Sequence, residues 1–326
     1  VTATFEGQSD SSVITVEAED VAPGPEGLER ISAEPGRVEV AIAASQHRFG
    51  DGEASAVVLA RADEYPDALA GTTLAAEHDA PLLLTSSDQL LDNVADEIAR
   101  VLGDDGQVFL AGGTAALDET VEDAAGDLGY ELARLGGQTR FETAGLIAEE
   151  LGERSQVLVT TGLDFPDALT AGAAASANDG VVLLSAGEDA HDVVDDYLDG
   201  FDGEVTAVGG PATRAYPDAE AVMGATRDET AVAVAEAFFD EPVAFGVARR
   251  DDYPDALSGG AHIAAYEGPL LLTYTEDVPA ETAQWLTNTD AAGGFVYGGT
   301  AAVSEDTFDE LEDLAFGDND NDDEGQ

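Results

Sequence analysis

The residues best suited to bind a ligand occur in a short segment that is repeated three times. The segment reads aromatic-Pro-Asp-Ala-Leu and begins at Tyr65, Phe165 and Tyr253. An exposed aromatic ring beside a carboxylate suits a sugar. An upstream Arg-x-Glu-x-Ala motif adds a guanidinium group that can bind a carboxylate or phosphate through paired hydrogen bonds. The candidate binding residues are Arg37, Arg140, Arg227, Tyr65, Asp67, Phe165, Asp167, Tyr253 and Asp255.

The Pro-Asp-Ala-Leu segments also have a purely structural interpretation. Proline suits the first turn of a helix, and an aspartate there complements the helix dipole. The preceding aromatic residue can pack against the strand that it follows. We favour this interpretation because it accounts for every residue type without a ligand. In the alternative, the same turns lie at the carboxyl ends of parallel strands, where open α/β sheets bind ligands.

For the repeated arginines, two hypotheses are equally supported. Each arginine can pair with a carboxylate and join its helix to a neighbouring unit, or the three can form a ring around a three-fold axis for an anionic ligand. Gly-Gly pairs follow a strand in every repeat, at 112–113, 209–210 and 298–299. Such turns can present amides to an anion, but no Walker or G-x-G-x-x-G pattern accompanies them, and a tight turn needs glycine in any case.

Catalytic patterns are absent from the sequence. There is no G-x-S-x-G or H-E-x-x-H motif, no cysteine, and the four histidines do not recur between repeats. The acidic stretch from Asp318 lacks the glycine and the terminal glutamate of an EF-hand loop. A hydrolase or transferase that uses the repeated aspartates is disfavoured because they have no partner base or nucleophile. We therefore expect a protein that is not an enzyme and has no cofactor and no metal site.

The composition indicates adaptation to molar salt. The 326 residues are 44% hydrophobic, with 69 acidic and 12 basic residues and a formal charge of −57, and every basic residue is arginine. Molar salt screens such self-repulsion, so we expect a halophilic archaeal or bacterial source. The charge argues against nucleic acid as a partner, and no apolar run is long enough to span a membrane. The start at Val1 without methionine fits either a removed signal peptide or a fragment boundary.

Four landmarks recur in the same order: the arginine motif, the Pro-Asp-Ala-Leu segment, an apolar strand ending in a hydroxyl residue, and the Gly-Gly turn. Buried-strand runs alternate with helical patterns, which predicts α/β units with parallel sheets. In the middle copy we predict helices at 142–151, 166–177 and 190–198, and strands at 156–160, 181–184 and 205–208. The predicted organisation is an N-terminal β arm and linker at 1–28, repeats at 29–136, 137–222 and 223–316, and an acidic tail at 317–326.

Together these landmarks resemble the cell wall-binding repeat 2 family, in three copies that cover most of the chain. The resemblance implies three Toprim-like, Rossmannoid α/β units around a pseudo-three-fold axis, in a non-catalytic module that attaches exported proteins to anionic envelope polymers. Copy one has Val40 where the others have Thr143 and Thr230.

We expect an extracellular, cell-surface protein whose partner is an envelope polysaccharide or an S-layer glycoprotein. The alternative is a structural subunit that self-associates through residues 1–28, by pairing its strands with the sheet edge of the next copy, to build a filament or surface lattice.

Overall fold

The computed structural model describes residues 2–5, 8–11, 24–32 and 36–317, without the side chains of the first two segments or of residues 104 and 105. Strands β1 (Thr2–Phe5) and β2 (Gln8–Ser11) form an antiparallel two-stranded sheet. Residues 12–23 of the predicted arm and linker, and the acidic tail beyond residue 317, lie outside the described residues. No helix in the described part of the chain is both long and apolar enough to cross a bilayer.

Three α/β units follow, and the first shows the pattern of all three. Strand β3 (Gly27–Ile31) precedes it. Its elements in chain order are α1 (Arg37–Arg48), β4 (Ala54–Arg61), α2 (Gly71–Glu77), β5 (Leu82–Thr85), α3 (Asp92–Val101), β6 (Leu102–Ala111), α4 (Glu119–Gly126) and β7 (Glu131–Leu135).

The second unit confirms the secondary structure that the sequence predicts for the middle repeat, with element ends shifted by at most two residues. The alanine-rich helix begins at Pro166 and ends at Ala177, as predicted, with proline in the first turn. The elements are α5 (Arg140–Leu151), β8 (Gln156–Thr161), α6 (Pro166–Ala177), β9 (Gly180–Ser185), α7 (Asp192–Leu198), β10 (Glu204–Val208), α8 (Gly210–Ala215) and β11 (Glu220–Val222).

The third unit repeats the same order of elements up to its third strand. These are α9 (Arg227–Phe238), β12 (Ala244–Arg249), α10 (Pro254–Ala264), β13 (Leu270–Thr273), α11 (Ala280–Asn288), β14 (Gly293–Tyr297) and α12 (Glu305–Phe316). Helix α10 starts at its proline as α6 does, whereas in the first unit residues 66–70 form turns and the helix starts only at Gly71.

Each unit contains a four-stranded parallel sheet, which confirms the predicted fold class. The strand orders are β5-β4-β6-β7, β9-β8-β10-β11 and β13-β12-β14-β3. The central strands are almost entirely buried, as expected for a sheet covered on both faces. The fourth strand of each sheet was not predicted from the sequence, because these edge strands are short and partly exposed.

Strand β3 connects the start of the chain to its last unit. In the first two units the fourth strand directly precedes the arginine helix of the next unit. Strand β3 likewise precedes α1, but it pairs with β14 of the third unit, where Gly27 lies opposite Gly293 and Ile31 opposite Tyr297. The strand straddles the boundary at 28/29 between the predicted arm and the first repeat. This pairing closes the three units into a ring.

Helices α2, α6 and α10, here called the axial helices, pack against one another at the centre of the ring. Equivalent positions on them carry Thr72, Gly172 and Gly260. A Cβ at Gly172 would lie 3.0 Å from the Cβ of Thr72, so a close approach of the helices requires this glycine. Leu69, Leu169 and Leu257 are at most 1% exposed and belong to one hydrophobic cluster. The three units therefore share a core.

Candidate functional site

The aromatic residues of the three Pro-Asp-Ala-Leu segments meet at the amino-terminal end of the axial helices. The ring centroid of Tyr65 lies 5.5 Å from that of Phe165 and 5.2 Å from that of Tyr253, and the last two are 5.8 Å apart. All three pairs are edge-to-face, the arrangement that aromatic quadrupoles favour. Each ring is partly exposed. The three repeats thus build a single aromatic cluster across their interfaces.

The three repeated arginines surround this aromatic cluster. Each side chain donates from Nη1 to the carbonyl just after the first strand of its own unit: Arg37 to Ala62 at 2.9 Å, Arg140 to Gly162 at 2.6 Å and Arg227 to Arg250 at 2.8 Å. Their guanidinium carbons lie 5.6, 5.8 and 5.7 Å from the ring centroids of Tyr253, Tyr65 and Phe165. Because each ring belongs to a neighbouring unit, these cation–π contacts join adjacent units.

We call these arginines and aromatic residues the axial ring. Two of its arginines also pair with a carboxylate of the neighbouring unit, Arg37 with Asp252 at 3.7 Å and Arg227 with Asp164 at 3.6 Å. Arg140 has no carboxylate within 4.0 Å among the described residues, since the equivalent Glu64 contacts Arg61 at 3.6 Å. The arrangement combines both sequence hypotheses, because the arginines form inter-unit contacts and also surround a common axis.

The glutamate of the arginine motif fixes the start of the helix that carries the arginine. The Thr139 hydroxyl accepts from the amide of Glu142, whose carboxylate accepts from the amide of Gln138, which forms a variant of the capping box that uses the amide one residue before the cap. Thr226 and Glu229 form the same box in the third unit. The first copy has Gly36 at the cap position and no side-chain cap, because Glu-Pro-Gly precedes Arg37 where Gly-Gly-Gln-Thr precedes Arg140.

The repeated aspartates lie behind the axial ring and do not cap their own helices. Neither α6 nor α10 has a side-chain cap hydrogen bond, although Asp167 and Asp255 lie in the first turn. Burial raises the pKa of Asp167 to about 6, with a smaller contribution from the charge of Asp164. Burial likewise raises the pKa of Asp255 to about 6, with Asp252 adding to it. The interpretation of these side chains as dipole partners is therefore incomplete, because burial dominates their environment.

Asp67 differs from the other two because it has a hydroxyl partner. Its Oδ1 accepts from the hydroxyl of Thr143, on the first helix of the next unit, at 2.7 Å. The equivalent Thr230 donates instead to the carbonyl of Thr226 at 3.1 Å. The third equivalent position is Val40, which has no hydroxyl to donate. The three aspartates therefore occupy equivalent places with different hydrogen bonding.

The Gly-Gly turns make room for these aspartates. The first glycine of each pair has a positive φ, which is +119° at Gly112, +85° at Gly209 and +104° at Gly298. A Cβ on Gly209 or Gly298 would collide with the carboxylate of Asp167 or Asp255, and one on Gly112 would approach Asp67. A carboxylate of the protein itself thus lies against each turn. The turns serve close packing, and the structure gives no support for an anion-binding role.

The structure therefore brings all nine sequence-predicted residues together at one end of the three-fold axis. The aromatic residues and arginines face the axis, and the aspartates lie beneath them. Sequence reasoning missed Asp164, Asp252 and Thr143, which contact this group. An acidic residue precedes every repeated aromatic residue in the sequence, and this regularity could have identified Asp164 and Asp252. Among the described residues no cluster of three or more histidines and acids could hold a metal ion.

Comparison with curated proteins finds two similar proteins of Bacillus subtilis (strain 168). N-acetylmuramoyl-L-alanine amidase LytC is 23% identical over 271 residues, which are 81% of this chain and 54% of the amidase. The amidase enhancer is 24% identical over 287 residues, which are 85% of this chain and 39% of the enhancer. The chain thus spans about half or less of the length of these relatives.

Solved structures with the same fold include two Clostridium difficile proteins. Cwp8 superimposes with a TM-score of 0.80 at 24% identity, over 89% of this chain and 52% of Cwp8. Cwp6 superimposes with a TM-score of 0.79 at 22% identity, over 94% of this chain and 50% of Cwp6. The family model of cell wall binding domain 2 matches three times, at residues 33–122, 134–215 and 222–308. The chain therefore belongs to the cell wall binding domain 2 family.

Proposed function

We propose that this protein is a non-enzymatic, secreted surface protein of a halophile that binds an envelope glycan or the S-layer through the axial ring. Family membership makes it a cell wall binding repeat protein, which is associated with the cell surface or wall. The observation that carries the proposal is the convergence of three aromatic rings and three arginines from separate units on one axis.

The chemistry of the axial ring suits a saccharide with an anionic substituent. Aromatic faces pack against the C–H faces of sugars, and guanidinium groups bind carboxylate or phosphate substituents. The carbonyl bonds hold each guanidinium in place before a ligand arrives, so little side-chain entropy remains to be lost. Arg140 is the arginine best placed to bind an anion, because it has no carboxylate partner among the described residues.

Binding is tested by co-sedimentation with isolated envelopes at molar salt. We expect Arg140→Ala combined with Arg227→Ala to reduce the bound fraction at least about fivefold, equivalent to roughly 1 kcal/mol. Arg214→Ala is the matched control, since this arginine is 53% exposed and pairs with Glu188 outside the ring. Thermal unfolding of each variant checks the fold. Unchanged retention of a folded double variant would exclude the axial ring as the binding site.

The halophilic part of the proposal rests on the charge of −57. Self-repulsion of this size is screened when the Debye length falls to about 3 Å at 1 M salt. We expect the free energy of unfolding to rise steadily between about 0.1 M and 2 M sodium chloride. Urea denaturation, without guanidinium salts, measures the free energy of unfolding at each salt concentration. A stability that is independent of salt would contradict a halophilic origin.

As a second candidate function we propose a filament or lattice subunit that assembles through its N-terminal strands. Within the described residues β1 and β2 pair only with each other, and an isolated two-stranded sheet is marginally stable in water. A sheet edge of another copy is a partner that would stabilise it.

The assembly hypothesis is tested by deleting residues 1–23, which leaves β3 in the sheet of the third unit. The deletion should abolish filaments or sheets in electron micrographs while thermal unfolding of the units stays unchanged. A full chain that remains monomeric at high concentration in molar salt would rule the assembly out.

A further inference from the structure

A cavity of about 640 Å³ lies at the opposite end of the axial helices from the axial ring. Its lining includes residues from all three units, on α1, along the axial helices and the turns that follow them, and at the end of α5. The longest axial helix, α6, has 12 residues and is therefore about 18 Å long. Cavities of roughly 300–1,000 Å³ are typical of small-molecule sites. This volume and the convergence of three units justify a closer look at the lining; we call it the distal cavity.

Ser45 on α1 is the unexplained residue of the distal cavity. It lines the cavity and is 1% exposed, and its hydroxyl has no hydrogen-bond partner among the described residues. A buried polar group without a partner costs about 1–3 kcal/mol. The equivalent residues of the other two repeats are Ala148 and Ala235, which are equally buried. Packing at this position therefore requires only a methyl group, and the hydroxyl of Ser45 is a polar group that no described residue satisfies.

Three further hydroxyl residues line the distal cavity. Thr73 donates to the carbonyl of Ala70 at 2.8 Å, and Ser176 to the carbonyl of Gly172 at 2.8 Å. Ser258 donates to the carbonyl of Asp255 at 3.4 Å. Since each hydroxyl has one proton, these three residues offer a ligand acceptors and no donors. The interior of the cavity thus favours a ligand that is rich in hydrogen-bond donors.

The rim of the distal cavity is acidic. Four carboxylates line it, and two guanidinium groups oppose them, Arg48 on Asp79 at 3.0 Å and Arg154 on both Glu77 and Asp179 at 2.8 and 3.1 Å. The fourth carboxylate, Glu267, has no basic side chain within 4.0 Å among the described residues. His262 in the wall is neutral, because burial lowers its pKa to about 3. The excess negative charge favours a cation.

Three of these acids occupy costly positions. Asp79, Asp179 and Glu267 follow the ends of the three axial helices and have positive φ values of 43°, 49° and 48°. The left-handed conformation strains residues other than glycine, and a carboxylate at a helix carboxyl terminus opposes the helix dipole. The arginine pairs offset this cost for Asp79 and Asp179. They do not do so for Glu267, whose carboxylate remains available to a ligand.

We propose that the distal cavity binds a small organic ammonium ion that carries hydroxyl groups, of the amino sugar class. The ammonium group pairs with Glu267 at the rim, and the hydroxyl groups donate to Ser45, Thr73 and Ser258. The C–H surface of the sugar packs on the alanine side chains that form much of the wall. This site is separate from the axial ring and does not depend on the function proposed for it.

Isothermal titration calorimetry of the full chain with glucosamine hydrochloride, at pH about 6.5 and constant salt, tests the proposal. Glucose is the neutral control ligand. We expect one glucosamine site per chain, with glucose bound at least about tenfold more weakly, the equivalent of 1.4 kcal/mol. Ser45→Ala and Glu267→Gln should each weaken glucosamine at least about threefold, within the range of one lost hydrogen bond. Thermal unfolding of both variants should show no loss of stability relative to the parent protein.

Glu241→Gln is the matched control, because Glu241 has the same left-handed backbone, with φ of 52°, and lies outside the distal cavity. The combined Arg140→Ala and Arg227→Ala variant should bind glucosamine normally, which separates this site from the axial ring. Equal affinity for glucose and glucosamine overturns the assignment of a cation. Unchanged affinity in Ser45→Ala and Glu267→Gln, or no heat with glucosamine at about 50 mM, overturns the site.

Discussion

The two ends of the axial helices differ in how faithfully the repeats are copied. At the axial ring every unit supplies an arginine, an aromatic residue and an aspartate at equivalent positions. At the distal cavity an acid recurs after each axial helix, but the hydroxyl residues differ between the units, as Ser45 is where the other units have alanine. The ring end joins each unit to its neighbour, so all three copies need the same contacts. The cavity end forms no such repeated joint, so its residues can differ from one unit to the next.

The largest loss of stability is expected at the Gly-Gly turns, where the ring end is packed most tightly. Gly298→Ala should lower the free energy of unfolding by about 2–3 kcal/mol, because alanine is strained at a positive φ and its methyl group would strike Asp255. The adjacent Gly299 has open space around it, so Gly299→Ala should stay within about 0.5 kcal/mol. Chemical denaturation of both variants measures the difference. Equal losses would mean that the contact with the aspartate is unimportant.

The raised pKa of the buried aspartates at the ring end predicts that the free energy of unfolding depends on pH. The folded pKa of Asp167 is about 6 against a reference of 3.8, so the native state binds this proton more tightly. Its contribution to stability is therefore greatest at low pH and is lost as the pH rises through about 6. Asp167→Asn should stabilise the protein by about 1–3 kcal/mol at pH 8 and change little at pH 4.

Asp67→Asn is the control for this prediction, because the carboxylate of Asp67 already accepts a hydroxyl hydrogen bond from Thr143. Asp67→Asn should not raise the free energy of unfolding at pH 8. Urea denaturation between pH 4 and pH 8 measures the free energy of unfolding of each variant. Subtracting the value of the parent protein at the same pH cancels the contribution of the other acids. A stabilisation that is the same at both pH values would contradict the raised pKa of Asp167.

Alanine substitutions at two glycines in the middle of the axial helices should change the stability by smaller amounts and in opposite directions. Alanine gains about 1 kcal/mol of helix propensity over glycine at both Gly172 and Gly260. At Gly260 the nearest atom to the new Cβ is 3.5 Å away, so Gly260→Ala should stabilise the protein. At Gly172 the new Cβ would lie 3.0 Å from the Cβ of Thr72, and we expect a net loss of about 1 kcal/mol. Thermal unfolding in which both variants gain would show that the helices can move apart.

The smallest effect on the free energy of unfolding is expected at the distal cavity. Ser45→Ala should raise the free energy of unfolding by up to about 1 kcal/mol, since it removes a buried hydroxyl that has no partner among the described residues and alanine is already accommodated at the equivalent positions. The converse change, Ala148→Ser, buries a hydroxyl where the repeat has none and should cost about 1 kcal/mol. Differential scanning calorimetry compares the two. A large loss in Ser45→Ala would mean that its hydroxyl has a structural role.

Local features of the fold could be predicted from the sequence. The helix at 166–177 was predicted because proline, an alanine-rich stretch and the following turn residues act within one short window. The nine candidate residues were found because the same motifs recur in register. The edge strands were missed, since segments such as Glu220–Val222 are short and have no alternating pattern. Ser45 was missed as well, because a lone serine in a helix has no sequence signal until its surroundings are known.

By itself, the sequence determined the repeat, the helix starts, the buried strands and the excess of acid, because each depends on residues that are neighbours in the chain. Only the tertiary structure decided that β3 joins the third unit, where Gly27 lies opposite Gly293. Only it decided that three aromatic rings share one axis and that equivalent aspartates have different hydrogen bonds. These features depend on contacts between residues at least 76 positions apart, whose geometry is set when the three units close on a common core.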